Sequence, residues 1–114
     1  MELVNQSNLN YVDEIRLFLP DAELWAQLAE EAAELAQAAL KIRRVLDGTN
    51  PTPKDIGQAH ANVIEEISDV ETCLIMLGYA SEGAEHAKRL VREEKLPRWA
   101  GRLRERGEMR GNQF

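Results

Sequence analysis

The sequence predicts an all-α protein, a helical bundle of long antiparallel helices that is completed by homo-oligomerisation. Helix-forming Ala, Leu, Glu and Arg are abundant, and no stretch alternates apolar and polar residues with a period of two. The chain has 114 residues, enough for one domain but few for covering helices that are apolar on several sides. We expect one domain over residues 1–114, with a core at 22–96 and a basic C-terminal segment at 97–114.

The first two helix boundaries follow from prolines and capping residues. A short helix is expected at about 11–19, after an irregular start, and Pro20 should end it. Asp21 is the expected N-cap of a long helix over about 22–46. The segment 48–53 contains a glycine followed by two prolines and should terminate that helix.

Two more long helices are expected in the second half. Thr52 and the proline after it predict a helix start, and the helix should reach Leu77, where Gly78 ends it. Ser81 predicts the start of a third long helix. Pro97 is expected to kink or break this helix before an arginine-rich end.

The net charge of −6 is distributed unevenly. Residues 1–87 hold 5 basic and 16 acidic side chains, whereas residues 88–114 hold 9 basic and 4 acidic ones. The acidic body argues against binding to a nucleic acid polymer, because phosphate contacts need a basic face. It suits cation binding. The basic segment predicts either phosphate contacts or pairing with the acidic body.

Other residues indicate the compartment and the core. Cys73 is the only cysteine, which favours a reducing, cytoplasmic location and a core role for this thiol. No signal peptide and no apolar run of ~20 residues is visible, so no membrane partner is expected. His60 is expected to be a hydrogen-bonded core residue. Trp25 and Trp99 are expected to pack in the core or an interface, with stacking on a base as the alternative.

The helix expected at 22–46 carries two carboxylates on or beside its apolar side. Five aliphatic residues define its apolar stripe: Leu24, Leu28, Leu35, Ile42 and Leu46. Glu31 falls in the middle of this stripe, and Glu34 lies about 60° to its side. A carboxylate that points where leucines point loses hydration, which is costly unless a partner compensates.

The next helix repeats this pattern. Six aliphatic residues define its apolar side: Ile56, Val63, Ile67, Val70, Leu74 and Leu77. Glu66, Asp69 and Glu71 nevertheless lie within or beside that surface. Lys54 is the only Lys or Arg in residues 49–85, so cationic partners are scarce. Two roles are open for Glu71. It could orient the ligands of a site without binding the metal itself, or it could form an ion pair with a cation of another subunit.

The spacing of these carboxylates predicts a metal site. Glu31 and Glu34 are three residues apart, as are Glu66 and Asp69, so each pair projects from one side of its helix. Two antiparallel helices would then present four carboxylates to one small volume, as in metal sites inside helical bundles. Oxygen ligands without a Cys or His cluster favour Mg²⁺, with Mn²⁺ as a possible substitute. Solvated surface pairs are the alternative reading.

The motifs have a family resemblance. Glu30-Glu31-x-x-Glu34, followed by Glu66-x-x-Asp69 in VIEEISDVETCLIML, resembles the EExxE…ExxD signature of MazG-type nucleoside triphosphate pyrophosphohydrolases of the all-α NTP pyrophosphatase superfamily. The resemblance covers roughly residues 22–80. It implies a helical homodimer or homotetramer that hydrolyses a (d)NTP to the (d)NMP and pyrophosphate, in a house-cleaning role.

The resemblance also implies roles for single residues. Glu31, Glu34, Glu66 and Asp69 would be the magnesium ligands, and Glu30 with Glu31 would serve catalysis by orienting or activating water. Substrate contacts are expected from four further residues: Trp25, Lys95, Arg98 and Arg102. The chain departs from the family pattern in a long segment between the motifs and in Glu93-Glu94-Lys95, which stands where the family often has Asn-x-Lys.

Two other functions compete with this one. The second function is that of a catalytically inactive helical assembly or regulatory module with the same fold. The four carboxylates argue against that reading, because a module without metal would gain from apolar replacements. A di-iron bundle is the third reading, but neither His60 nor His86 stands three residues after a Glu of the two pairs.

Overall fold

The computed structural model describes residues 6–49 and 56–107. Within these ranges it contains four α-helices and no strand: α1 (Gln6–Phe18), α2 (Asp21–Asp47), α3 (Ile56–Met76) and α4 (Glu82–Glu105). The predicted all-α class is therefore confirmed for this part of the chain. Helix α1 begins at Gln6, five residues before its expected start, so the expectation of an irregular stretch is wrong for residues 6–10.

The prediction that Asp21 caps α2 is wrong. Pro20 is the N-cap, with φ −68° and ψ 160°, and no side chain caps this end. The carbonyl oxygen of Pro20 accepts hydrogen bonds from the backbone N–H groups of Glu23 at 2.9 Å and Leu24 at 3.2 Å. Asp21 instead lies in the first turn, where the positive end of the helix dipole favours a carboxylate.

Helices α2 and α3 end as predicted. Gly48 closes α2 in the left-handed conformation, with φ +74°, and its N–H bonds to the carbonyl oxygen of Arg44. Helix α3 ends at Met76, and Gly78, with φ +90°, follows within the turn. The predicted start of α3 near Thr52 lies outside the described residues.

Helix α4 begins as predicted and continues further than predicted. The hydroxyl oxygen of Ser81 accepts a hydrogen bond from the N–H of Ala84 at 3.1 Å, a standard N-cap. The helix then continues through Pro97 to Glu105, so the expected break is absent. The proline removes one backbone donor, and the helix formers on either side of it sustain the remaining hydrogen bonds.

Helices α2 and α3 pack against each other, and α1 packs on α3. Leu24, near the start of α2, clusters with Met76, at the end of α3, and with Val12 of α1. Carboxylates from the middle of α2 also lie beside carboxylates from the middle of α3. These pairings run in opposite chain directions, so α2 and α3 are antiparallel, as the sequence predicted.

The described chain forms two compact units, and α4 belongs to a different unit from α1–α3. In the first unit, Leu24 is only 2% exposed, but many large apolar residues remain in contact with solvent. Those more than half exposed include Tyr11, Leu17, Phe18, Leu46 and Ile64. In the second unit, α4 has no buried residue. None of the described helices combines the length and the apolar character that crossing a bilayer requires.

Candidate metal centre

The four carboxylates predicted as metal ligands come together in the structure. Glu31 and Glu34 of α2 and Glu66 and Asp69 of α3 each place one carboxylate oxygen within 4.8 Å of the other three. Glu31, Glu66 and Asp69 are half-buried, whereas Glu34 is exposed. The group is therefore open on the side of Glu34 and enclosed by the helix pair on the other side.

Two apolar layers of the α2–α3 contact flank this cluster along the helices. Leu24 and Met76 are buried towards one end of the helix pair, together with Cys73. Ala38 and Ala59 are buried towards the other end. Such small side chains allow two helix backbones to approach closely, and this helps to bring carboxylates from both helices into one volume.

Two oxygens of the cluster are buried without a hydrogen-bond partner among the described residues: Oε2 of Glu31 and Oε2 of Glu66. Buried polar atoms in native proteins nearly always have partners, and an unpaired buried carboxylate oxygen is costly. No Lys, Arg or His forms an ion pair with these glutamates within the part of the chain that is described. The two oxygens thus fit a cation that would bind between α2 and α3.

Electrostatic repulsion within the cluster changes the ionisation of its members. The nearby Glu31 carboxylate raises the pKa of Glu34, and partial loss of hydration and the charge of Glu66 raise it further. Burial raises the pKa of the Cys73 thiol, and the charges of Glu31 and Asp69 add to the effect. Cys73 is therefore a protonated core residue, as predicted, and no Lys or Arg of residues 6–49 and 56–107 forms an ion pair with the cluster.

A polar contact that the sequence reading missed helps to orient Glu31. The side-chain amide of Gln27 donates a hydrogen bond from Nε2 to Oε1 of Glu31 at 2.8 Å. This bond leaves Oε2, the unpaired oxygen, turned into the helix contact. The signal was present in the sequence, because Gln27 precedes Glu31 by four residues and such pairs meet on one helix face.

The remaining residues predicted in the first unit lie outside the cluster. Glu30 is exposed and does not belong to the group of four. Trp25 is 48% exposed and packs edge-to-face on Tyr79, with ring centroids 5.7 Å apart. This contact agrees with the packing role predicted for Trp25. His60 is exposed, so the expectation of a core histidine is wrong.

The predicted substrate-binding cations lie together on α4. Lys95, Arg98 and Arg102 line a groove of about 370 Å³ with Trp99. Their spacing places all four side chains on one helix face. Arg98 is also 3.8 Å from the Glu94 carboxylate, an exposed pair that contributes little to stability. The groove therefore combines positive charge with an aromatic surface. All of its lining residues belong to the second unit.

Comparison of the chain with protein-family models, with curated proteins and with solved structures gives no match.

Proposed function

We propose that the chain is a Mg²⁺-dependent nucleotide pyrophosphohydrolase that cleaves a (d)NTP to the (d)NMP and pyrophosphate. The carboxylate cluster carries this proposal. Four carboxylate oxygens from two helices lie within 4.8 Å of one another, and two cluster glutamates keep a buried oxygen without a partner. A cluster of this kind costs stability without a cation and becomes favourable with one.

The donor set suits Mg²⁺. All four ligands are carboxylates, and hard divalent cations prefer oxygen ligands. Cys73 is buried and protonated, so it does not turn the site into a thiolate site for zinc. Mn²⁺ is the expected substitute. A bound cation would neutralise part of the negative charge of the triphosphate and lower the pKa of the water molecule that it coordinates.

The protein residues then divide the remaining tasks. Glu31, Glu66 and Asp69, which are half-buried, hold the cation, and Gln27 fixes the orientation of Glu31 through its 2.8 Å hydrogen bond. Glu34 completes the ligand set at the open side. Glu30 is exposed on the same helix and is the proposed group that accepts a proton from water, a task shared with Glu31.

The proposal includes a homodimer or homotetramer in the cytoplasm. The many exposed large apolar residues of α1, α2 and α3 support self-association, because exposed apolar surface that forms a patch normally marks an interface. Lys95, Arg98 and Arg102 are proposed to contact the phosphates of the substrate, and the groove with Trp99 supports an anionic ligand that has an aromatic part.

The test is pyrophosphate release from a panel of NTPs and dNTPs, with and without Mg²⁺. We expect Mg²⁺-dependent release from at least one nucleotide, and Glu31→Gln should lower the rate by at least ~100-fold. Glu65→Gln is the matched control, since Glu65 is exposed on α3 and lies outside the cluster. Absence of release from every nucleotide by folded, Mg²⁺-loaded protein would contradict the enzymatic function.

A catalytically inactive assembly or regulatory module is the second candidate. The observation that favours it is the large exposed apolar surface, which includes Leu17 and Phe18 at 84% and 76% exposure. Under this alternative the protein would self-associate and bind Mg²⁺ without releasing pyrophosphate. The same nucleotide panel therefore discriminates the two functions, provided that metal binding is measured on the same preparation.

A further inference from the structure

Helix α3 carries a stripe of six residues with mirror-symmetric spacing. This α3 stripe consists of Ile56, His60, Ile64, Ile67, Glu71 and Ile75. Successive members are 4, 4, 3, 4 and 4 residues apart, so all six fall within an arc of about 100° on the helix. Residues at equal distances from the centre of the stripe match one another in chemistry. Ile56 and Ile75 are both apolar, as are Ile64 and Ile67, whereas His60 can pair with the carboxylate of Glu71.

The α3 stripe faces away from α2. Ile64 is 67% exposed and Ile67 is 36% exposed, and the two polar members, His60 and Glu71, are exposed as well. The side of α3 that packs on α2 is marked instead by its buried residues, Ala59, Cys73 and Met76. Ile75, at one end of the stripe, is half-buried because it also packs beside the Val12–Leu24–Met76 cluster.

We propose that a second copy of this chain docks on the α3 stripe, with the two α3 helices antiparallel about a two-fold axis near residues 65 and 66. In this arrangement each residue of the stripe faces the partner's residue at the same distance on the other side of the axis, so that the two residue numbers always add up to 131. Ile64 packs on the partner subunit's Ile67, and His60 lies beside the partner subunit's Glu71. Each contact occurs twice, as two-fold symmetry requires.

Charge complementarity favours a second copy in this orientation. Within one copy, His60 and Glu71 are eleven residues apart, about 16 Å along the helix, so they cannot pair with each other. Neither forms an ion pair with another described residue. A parallel α3 pair would place His60 against His60 and Glu71 against Glu71, whereas the antiparallel pair joins each histidine to a carboxylate.

The proposed contact also has the arrangement that is typical of protein interfaces, an apolar centre with polar residues around it. Ile64 and Ile67 form its apolar centre, and the histidine–glutamate pairs flank that centre on both sides. Glu66 and Asp69 project from the side of α3 that faces α2, away from the stripe. The docking therefore stands independently of metal binding and of the proposed enzymatic function, and a test of association does not depend on activity.

The test is sedimentation velocity on the wild-type full chain, on three variants and on a mixture of two of them. We expect Glu71→Lys and His60→Glu each to halve the mass of the wild-type assembly, with the dissociation constant raised at least ~tenfold. Glu71→Lys replaces the carboxylate beside each histidine with a cation, and His60→Glu places two carboxylates together, so the complementary pair is lost twice. Mixing the two variants should restore the wild-type mass, since Glu at 60 then faces Lys at 71 of the partner. Glu65→Lys changes an exposed α3 residue off the stripe and should leave the mass unchanged.

The mixing result distinguishes docking from misfolding, because two misfolded variants cannot rescue each other. Far-UV circular dichroism of each variant provides the folding check. A wild-type protein that remains monomeric at high concentration would overturn the proposal. So would an assembly that both variants leave intact, or single variants that dissociate but are not restored by mixing.

Discussion

Three glutamates of one α2 segment behave differently because the helix turns them in different directions. Glu30 points to solvent, Glu31 is half-buried with one oxygen unpaired, and Glu34 lies at the open edge of the cluster. The helical wheel of α2 predicts this division, because Glu31 falls among leucines. The hydrogen bond from Gln27 to Glu31 was not predicted, since polar pairs along a helix are common and most contribute little.

Removal of one charge from the cluster should stabilise the metal-free protein. Glu34→Gln relieves the repulsion that raises the pKa of Glu34, so we expect a higher Tm without metal. The same change should weaken Mg²⁺ binding by at least ~tenfold, since even mutations of residues that only hydrogen-bond to a metal ligand have effects of that size. Thermal unfolding with and without Mg²⁺ measures both effects. Glu30→Gln, outside the cluster, should change neither, and equal behaviour of the two variants would contradict the site.

Glu85 in the first turn of α4 gives a pH-dependent prediction. Its carboxylate accepts a hydrogen bond from Lys88 at 2.6 Å, which lowers the pKa of Glu85 below the usual 4.5. A lowered folded-state pKa means that this stabilisation is present above pH 4.5 and is lost as the pH falls through the folded value. Glu85→Gln should therefore lower the Tm slightly near neutral pH and leave it unchanged well below pH 4.5. A difference that grows at low pH would contradict this assignment.

At the scale of the helices, ends marked by glycine and serine were predictable and the effects of proline were not. Gly48 and Ser81 act through local backbone geometry, which the sequence specifies directly. Pro20 became a cap in place of Asp21 because its carbonyl accepts the first helical hydrogen bonds. Pro97 is tolerated because one lost hydrogen bond does not outweigh a long run of helix formers.

Pro97→Ala should stabilise α4 because the helix already continues through this position. Alanine restores the backbone donor and removes the ring clash, with a gain of up to about 3 kcal/mol. Urea unfolding followed by far-UV circular dichroism measures it. Gly83→Ala is a control for propensity alone, since open space surrounds Gly83, and it should give about 1 kcal/mol. A Pro97→Ala variant less stable than wild type would show that α4 requires the proline.

At the scale of the whole molecule, the all-α class and the antiparallel α2–α3 pair followed from periodicity and spacing. The single helix wheel could not tell which of the two apolar sides of α3 faces α2, because both carry isoleucine, valine or leucine. The structure resolves this: Ala59, Cys73 and Met76 are buried, while Ile64 and His60 are exposed. His60 was wrongly predicted to be a core residue for this reason, since it lies on an apolar side of α3 that does not pack on α2.

Core packing of the first unit gives a further prediction. Leu24 is 2% exposed and joins α1, α2 and α3 through its contacts with Val12 and Met76. Leu24→Ala should lower the free energy of unfolding by about 2–5 kcal/mol. Leu46→Ala is the matched control, because Leu46 is 75% exposed, and its effect should be much smaller. Chemical denaturation of both variants makes the comparison, and equal losses would contradict the assigned core.

The central claim is that the four carboxylates between α2 and α3 hold a divalent cation, and titration calorimetry with Mg²⁺ and Mn²⁺ tests it most directly. Wild-type protein and Glu65→Gln should bind the cation equally, because Glu65 is exposed beside the cluster without belonging to it. Glu66→Gln should lose binding, because it replaces a carboxylate that has an unpaired buried oxygen. Equal binding by Glu66→Gln and Glu65→Gln, or no binding by the wild type, would contradict the account.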